Sequence, residues 1–258
     1  MSIPAGPLPV PAAVRRATGG ARARAVWVNA VGGLTFRLDG PGDATDGGAD
    51  GRADGGADGG ARFCKWAPAG APLDLAAEVP RLAWAAAFTP VPRVLGHGAD
   101  AEGSWLLTAA LPGASAVTPR WLALPGVAVP ALGRGLRALH ERLPVHECPF
   151  TWSVHHRLAA AVGDVSALGD PPPVDRLVVC HGDACAPNTL LGEDGEAVAH
   201  VDLGALGVAD RWADLAVATM SLEWNYGPGW EGAFLEAYGV APDPGRTAYY
   251  RALWNAGP

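Results

Sequence analysis

This sequence of 258 residues has little of what membrane proteins and disulfide-stabilised proteins require. No apolar run approaches the roughly 20 residues that a membrane-spanning helix needs. No positively charged leader precedes an apolar stretch at the N-terminus, as a secretory signal would require. The four cysteines are too scattered for a disulfide framework or for the usual zinc-ligand spacings. We therefore expect a cytoplasmic protein with free or buried thiols and no membrane partner.

Positive charge is also scarce. The sequence has 26 acidic and 19 basic residues, a net charge of −7, and an isoelectric point near 5.4. A nucleic-acid partner is excluded because phosphate neutralisation needs a basic surface, whereas a small cationic substrate suits an acidic protein. Only one of the basic residues is lysine, at Lys65. This solitude suggests that the position needs a compact ammonium rather than a planar guanidinium.

The first half of the chain predicts a small antiparallel sheet. Residues 1–24 are expected to be a disordered tail, and a Gly/Asp/Ala repeat at 40–61 predicts a disordered insertion. Alternating apolar and polar residues, or short apolar runs, predict five strands, at 25–28, 34–38, 62–66, 91–95 and 104–110.

One helix is predicted beside this sheet, over residues 74–87, with Asp74 as its N-cap. Pro80 falls inside it and cannot donate the backbone hydrogen bond of a helix interior. We therefore expect either a kink or a start near Glu78.

The second half is predicted to be mainly helical. A buried strand at 177–180 and a hairpin of 188–191 with 197–201 interrupt the helices. Helices are predicted at 128–143, 152–165, 210–222 and 232–238. The pattern indicates an α+β protein with an N-terminal lobe over 25–111 and a C-terminal lobe over 112–258.

Residues suited to phosphoryl transfer follow the predicted strands of the second half. The pattern H-G-D-x-x-x-x-N, which ends with Asp183 and Asn188, has the form of a kinase catalytic loop, and Asp202-Leu-Gly resembles the metal-binding motif that follows it. Asp183 would accept the proton of a substrate hydroxyl. Asn188 and Asp202 would supply oxygen ligands to Mg²⁺. Lys65 would hold the nucleotide phosphates, itself positioned by Glu78.

Nearby residues are given structural roles. His181 is expected to hydrogen-bond near the loop rather than to act as the base. Asp210 suits the N-cap of the helix that follows, and Asp214 its first turn, where a carboxylate meets the positive end of the helix dipole.

The stretches VVCHGDACAPNTLL and VAHVDLGALGVADRWADLA together resemble the aminoglycoside phosphotransferase family, in particular its 3'-phosphotransferases, the kanamycin kinases. The resemblance covers most of residues 26–255. It implies a bilobal protein-kinase-like fold with a five-stranded antiparallel sheet and one helix in the first lobe. It also implies ATP or GTP with Mg²⁺, and phosphorylation of a hydroxyl on a cationic aminoglycoside, which confers resistance.

The resemblance further implies where the nucleotide binds. The base would hydrogen-bond to main chain at Ala109 and Leu111, and the turn containing Gly32 and Gly33 would approach the phosphates. We expect a monomer or a weak homodimer.

Acceptor binding is expected in the acidic C-terminal third, where 11 acidic residues oppose 3 basic ones from position 183 onward. Trp224 could stack on a sugar ring, with Glu223, Asn225 and Asn255 as polar contacts. The chain departs from the family at Ala205, where arginine is frequent, and it lacks the usual C-terminal acidic pair. Two alternatives therefore stay open, namely a kinase of the same fold for another small alcohol and a nucleotide-binding pseudokinase.

Overall fold

The computed structural model describes residues 4–29, 31–39, 60–166 and 168–257. The insertion predicted at 40–61 lies outside this part of the chain, apart from its last two residues. Two compact units are present, Met1–Ala86 with Val91–Pro112, and Ala87–Pro90 with Gly113–Pro258. Within the described residues, every helix is too short or too polar to cross a membrane.

The first unit contains the predicted five-stranded antiparallel sheet and its helix. The elements are α1 (Ala12–Ala17), β1 (Ala23–Val28), β2 (Leu34–Leu38), β3 (Arg62–Pro68), α2 (Leu75–Ala85), β4 (Val94–Asp100) and β5 (Gly103–Ala109). The sheet order is β1-β2-β3-β5-β4. Phe36, Leu38 and Cys64 are fully buried on one face, as alternation along a half-buried strand requires.

The segment predicted as a disordered tail instead contains α1. Val14 is fully buried and belongs to the same apolar cluster as Phe36 and Leu38. Arg16 forms an ion pair with Asp100 at the end of β4. The composition of the segment suggested disorder, but α1 gains its stability from covering an otherwise exposed sheet face, because so short a helix has little intrinsic stability.

Two boundaries in this unit differ from the prediction. Helix α2 begins at Leu75, with Asp74 accepting a hydrogen bond from the N–H of Ala77 at 3.1 Å, and it continues through Pro80. A strand was predicted at 91–95, whereas β4 runs from Val94 to Asp100. The difference arises because Gly96 and Gly98 have little strand propensity. A Cβ added at Gly98 would lie 3.0 Å from the Trp105 ring, so the glycine lets the ring pack flat on the strand.

The second unit is mainly helical, as predicted. Strands β7 and β10 pair antiparallel, and a second sheet has the order β6-β8-β9. Helix α5 is shorter than predicted. The elements are β6 (Ala114–Ser115), α3 (Pro119–Leu122), α4 (Pro125–Arg142), α5 (Val154–Ala160), β7 (Leu177–Cys180), β8 (Thr189–Leu191), β9 (Ala197–His200), β10 (Gly207–Asp210), α6 (Trp212–Tyr226), α7 (Glu231–Tyr238) and α8 (Pro244–Asn255), with short 3-10 turns at Val145–Glu147 and Ala186–Asn188.

His200, at the end of β9, makes the stability of this unit depend on pH. The ring is buried between Thr189 and the carbonyl of Gly135, each 3.3 Å from a ring nitrogen. Burial lowers the pKa of His200 to about 3 from 6.5. Below about pH 6.5 the His200 ring binds a proton in the unfolded chain but stays neutral in the folded protein. The free energy of unfolding therefore falls as the pH drops towards 3.

We expect His200→Gln to lose less stability on acidification than the natural protein. Between pH 7 and pH 5 the difference in unfolding free energy between the two proteins should change by about 2 kcal/mol in favour of the variant. Urea unfolding at pH 7, 6 and 5 measures this. His155→Gln, at an exposed histidine, should keep the natural pH dependence. Parallel pH curves for the natural protein and His200→Gln would contradict the prediction.

Candidate active site

The segment after β7 folds back so that Asn188 meets Asp183. The amide nitrogen of Asn188 donates to the backbone carbonyl of Asp183 at 3.0 Å and to its Oδ2 at 3.2 Å. Asp183 Oδ1 is buried and has no hydrogen-bond partner among the described residues. One carboxylate oxygen is thus fixed by the protein, and the other is left to accept from a ligand.

Asp202 lies in the turn after β9. The residue before it, Val201, donates its backbone N–H to the carbonyl of Asn188 at 2.9 Å. Its φ of 65° is left-handed, a conformation that no other non-glycine residue adopts in the described part of the chain. Its side chain is exposed, whereas Leu203 and Leu206 are fully buried. Buried neighbours therefore hold a costly backbone conformation that presents a carboxylate.

Gly182 allows close contact between the loop that carries Asp183 and the loop that carries Asp202. A Cβ at this position, where φ is +85°, would lie 2.2 Å from the backbone oxygen of Ala205. Only glycine permits this approach. The close packing brings the loop that carries Asp183 against the loop that carries Asp202.

The electrostatics around Asp183 and Asp202 favour a bound cation. Burial raises the pKa of the Asp183 carboxyl, and the nearby Asp202 carboxylate raises it further. Two like charges destabilise each other unless a positive group lies near them. The amide nitrogen of Asn188 is already engaged, so its oxygen is the atom left to coordinate. The Asn188 amide oxygen and the Asp202 carboxylate are hard oxygen donors of the kind that Mg²⁺ prefers, and these two residues therefore fit this ion.

Asp214 anchors the loop that carries Asp183, and the sequence analysis missed this contact. It is fully buried in the first turn of α6. Its carboxylate accepts from the backbone N–H of His181 at 2.6 Å and of Gly182 at 2.9 Å, and lies 2.9 Å from His140 Nε2. Although burial opposes ionisation, the interactions with His140, His181 and Gly182 hold the pKa of Asp214 below its usual value. Sequence position indicated a helix dipole role, because spacing alone does not show where the side chain points.

The other two structural residues are close to expectation. His181 Nε2 lies 2.9 Å from the carbonyl of Val201 and so ties the loop to the residue that follows β9. Helix α6 begins at Trp212, two residues later than predicted, and Asp210 accepts from the N–H of Trp212 at 3.0 Å. Asp210 also accepts from the N–H of Asp175 at 2.8 Å, which fixes the segment before β7.

In the first unit the structure brings Lys65 and Glu78 together. Lys65 Nζ on β3 lies 2.9 and 2.7 Å from the two carboxylate oxygens of Glu78 on α2. Glu78 is only 3% exposed. A buried carboxylate needs such a partner, and the pair fixes the position of the ammonium.

The glycine turn and the strand end are also ordered. Gly33 donates to Asn29 Oδ1 at 2.6 Å, and a Cβ on Gly33 would lie 2.3 Å from Asn29 Nδ2. Gly32 has a left-handed φ of +85°. The N–H of Ala109 donates to the carbonyl of Arg93 at 2.9 Å, so this donor is used within the fold. Leu111 follows β5 by two residues.

The candidate acceptor residues cluster only in part. Trp224 is 58% exposed, and its ring lies 6.1 Å from that of Trp254. Asn225 Nδ2 donates to the Ser221 carbonyl at 2.7 Å. Glu223 accepts from Arg251 at 3.2 Å and is thus partly neutralised. Asn255 is exposed at the end of α8.

Comparisons with known proteins identify the family of this chain. The model of the family described as "Phosphotransferase enzyme family" matches residues 13–250. An aminoglycoside 3'-phosphotransferase from Streptomyces fradiae is 36% identical over 226 residues, covering 75% of this chain and 83% of that protein. A streptomycin 3''-kinase from Streptomyces griseus is 34% identical over 240 residues, covering 74% and 83%.

Solved structures are similar over nearly the whole chain. A crystal structure of an aminoglycoside-3'-phosphotransferase of type VIII matches with a TM-score of 0.69 and 32% identity, covering 93% of this chain and 95% of that one. The aminoglycoside phosphotransferase APH(3'')-Id from Streptomyces rimosus matches with a TM-score of 0.67 and 28% identity, covering 93% and 94%. These matches confirm the protein-kinase-like fold class. The chain therefore belongs to the phosphotransferase enzyme family that includes these aminoglycoside kinases.

Proposed function

We propose that the protein transfers the γ-phosphate of ATP or GTP to a hydroxyl of an aminoglycoside antibiotic and so confers resistance to it. The observation that carries this proposal is the Asp183 carboxylate, which has one oxygen fixed by Asn188 and the other buried without a partner among the described residues. Relatives named as aminoglycoside kinases, one of them solved with ADP and streptomycin, support the substrate class.

Asp183 orients and deprotonates the acceptor. Its open oxygen accepts a hydrogen bond from the acceptor hydroxyl and takes the proton as the new oxygen–phosphorus bond forms. Asn188 keeps the carboxylate in place through its bond to Oδ2. Positioning of this kind supplies much of the catalysis in phosphoryl transfer, which needs little covalent help from the protein.

Asn188 Oδ1 and the Asp202 carboxylate would hold Mg²⁺. When bound, the ion neutralises charge on the nucleotide phosphates. The left-handed backbone of Asp202 presents the carboxylate, and the buried Leu203 beside it keeps that conformation.

Residues of the first unit are proposed to bind the nucleotide. Lys65, oriented by Glu78, would hold the phosphates as a point charge. Gly32 and Gly33 would let the turn approach the phosphates closely, because neither has a side chain. Main-chain groups at Ala109 and Leu111 would bind the base, with the carbonyl of Ala109 rather than its engaged N–H available.

Lys65→Met should lower kcat/KM for the nucleotide about 10- to 100-fold, the loss of one or two hydrogen bonds to a charged group. Steady-state kinetics with the acceptor held constant measure this. Because the variant removes the ammonium that lies beside the buried Glu78 carboxylate, Lys65→Met/Glu78→Gln is measured as well and should lose as much activity while recovering stability. Arg24→Met removes an exposed positive charge from β1 and should change kcat/KM less than twofold. Equal losses in Arg24→Met and Lys65→Met would contradict the assignment.

A second candidate function is a kinase for a less basic sugar alcohol. Arg251 lies 3.2 Å from Glu223 and 3.4 Å from Glu231, so the carboxylate next to Trp224 in the sequence and that of Glu231 are both already partnered. An aromatic surface with partnered carboxylates suits a neutral ring better than a polycation.

Release of nucleoside diphosphate, measured with ATP and with GTP, separates the candidates. The acceptors are kanamycin, neomycin, streptomycin and a neutral sugar. Turnover with an aminoglycoside supports the first proposal, and turnover with the neutral sugar alone supports the second. Nucleotide binding without turnover on any acceptor would favour the pseudokinase alternative.

A further inference from the structure

A pocket rich in arginine lies on the second unit and includes none of the proposed active-site residues. It encloses about 80 Å³. We propose that this arginine pocket binds a small oxyanion, either free phosphate or the terminal phosphate of a monoester. It is lined by Arg137, His140, Glu141, Arg176, Arg211, Tyr238 and Gly239.

The charges around the pocket favour an anion. Three guanidinium groups face it against one carboxylate, that of Glu141, although the chain as a whole carries a charge of −7. Arg137 Nε lies 2.7 Å from Glu141 Oε1, and Arg211 Nε lies 2.6 Å from Asp175 Oδ2. Each guanidinium has five N–H donors, so these pairings leave donors for a ligand.

Arg176 is an exposed arginine of the pocket. Its charge acts with the Arg137 hydrogen bond to hold the pKa of the Glu141 carboxyl below its usual value. Its backbone carbonyl accepts from the N–H of Arg211 at 2.9 Å, which keeps the two arginines side by side. Neighbouring guanidinium groups repel each other and gain most from a shared oxyanion, to which each can donate more than one hydrogen bond.

Gly239 borders the pocket directly after α7. Its φ of +90° is left-handed, a conformation that favours glycine at a helix end. A Cβ there would lie 2.9 Å from Arg137 Nη1, which places this guanidinium against the end of α7.

The back of the pocket connects to the catalytic loop. Tyr238 Oη lies 2.8 Å from His140 Nδ1, and His140 Nε2 lies 2.9 Å from Asp214 Oδ2. Because the carboxylate only accepts, His140 donates from Nε2 to Asp214. Asp214 in turn holds the N–H groups of His181 and Gly182. Filling the pocket should thus stabilise the unit that carries the catalytic loop.

Calorimetric titration and thermal unfolding test the proposal, with inorganic sulfate, inorganic phosphate and a sugar phosphate monoester as probes against chloride at matched ionic strength. We expect saturable binding of the probes. Comparing the sulfate and phosphate titrations with the monoester titration shows whether the pocket accepts free oxyanions, monoesters or both. Arg176→Gln should raise the Kd about tenfold. Arg142→Gln, an equal charge change at an exposed residue outside the pocket, should leave the Kd unchanged.

The Lys65→Met protein distinguishes this pocket from the proposed nucleotide site and needs no turnover. Binding that persists in Lys65→Met and weakens in Arg176→Gln supports the arginine pocket. Binding that is lost in Lys65→Met but unchanged in Arg176→Gln places the anion elsewhere and overturns the proposal. Absence of saturable binding in the natural protein overturns it as well.

Discussion

Asp183→Asn is expected to lower kcat roughly 100- to 10,000-fold, the usual contribution of a general base. The amide cannot take the proton of the acceptor hydroxyl, although it has nearly the same shape as the carboxylate. Single-turnover phosphorylation, with nucleotide binding measured separately, isolates the chemical step. A variant that keeps more than a tenth of the natural kcat would remove Asp183 from its proposed role.

The same substitution should not destabilise the fold. Burial and the nearby Asp202 carboxylate both raise the pKa of Asp183, so the charged form is unfavourable where it stands. Removing the charge is therefore expected to leave the melting temperature unchanged or to raise it. Asp194→Asn, the same change at an exposed residue of the β8–β9 connection, should leave both kcat and stability unchanged. A lowered melting temperature for Asp183→Asn alone would contradict this account of the site.

Asp214→Ala should have the largest effect on stability, a loss of about 3 to 5 kcal/mol in unfolding free energy. The substitution leaves the N–H groups of His181 and Gly182 buried without an acceptor and removes the partner of His140. Urea unfolding followed by circular dichroism measures the loss. Any folded fraction should also have low kcat, because the backbone that carries Asp183 loses its anchor.

An exposed aspartate provides the control for this loss. Asp170→Ala removes the same charge from the surface of the second unit and should change stability by less than about 0.5 kcal/mol. Asp214→Asn, which keeps an acceptor oxygen, should fall between the two. Equal stability of Asp214→Ala and Asp170→Ala would show that the loop does not depend on this anchor.

The sequence predicted best what periodicity and short-range motifs determine. Alternation predicted strands at 34–38 and 62–66, and the structure buries Phe36 and Cys64 on one face of them. The H-G-D-x-x-x-x-N pattern predicted a loop, and in the structure Asn188 donates to Asp183 within it. Helix α1 was missed because its stability comes from covering the sheet, which its own composition does not reveal. The predicted position of strand β4 was several residues too early, because Gly98 has no strand propensity of its own and is held in the strand by packing against Trp105.

Side-chain partners distant in sequence account for the other differences. The acidic excess of the C-terminal third suggested a binding site for a cationic acceptor, yet Arg251 on α8 pairs with Glu223 on α6 and Glu231 on α7. Asp214 lies in the first turn of its helix as predicted, and its carboxylate also holds a loop 33 residues earlier. Local pattern indicates which residues are charged, and only the fold shows which of them meet.

Mass spectrometry of the acceptor tests the central claim most directly. Each aminoglycoside is incubated with the protein, nucleotide and Mg²⁺, and with Asp183→Asn in parallel. The account predicts an acceptor heavier by one phosphoryl group with the natural protein, in amounts equal to the nucleoside diphosphate formed, and unchanged acceptor with the variant. Unmodified acceptor in every reaction, or equal phosphorylation by the natural protein and Asp183→Asn, would contradict it.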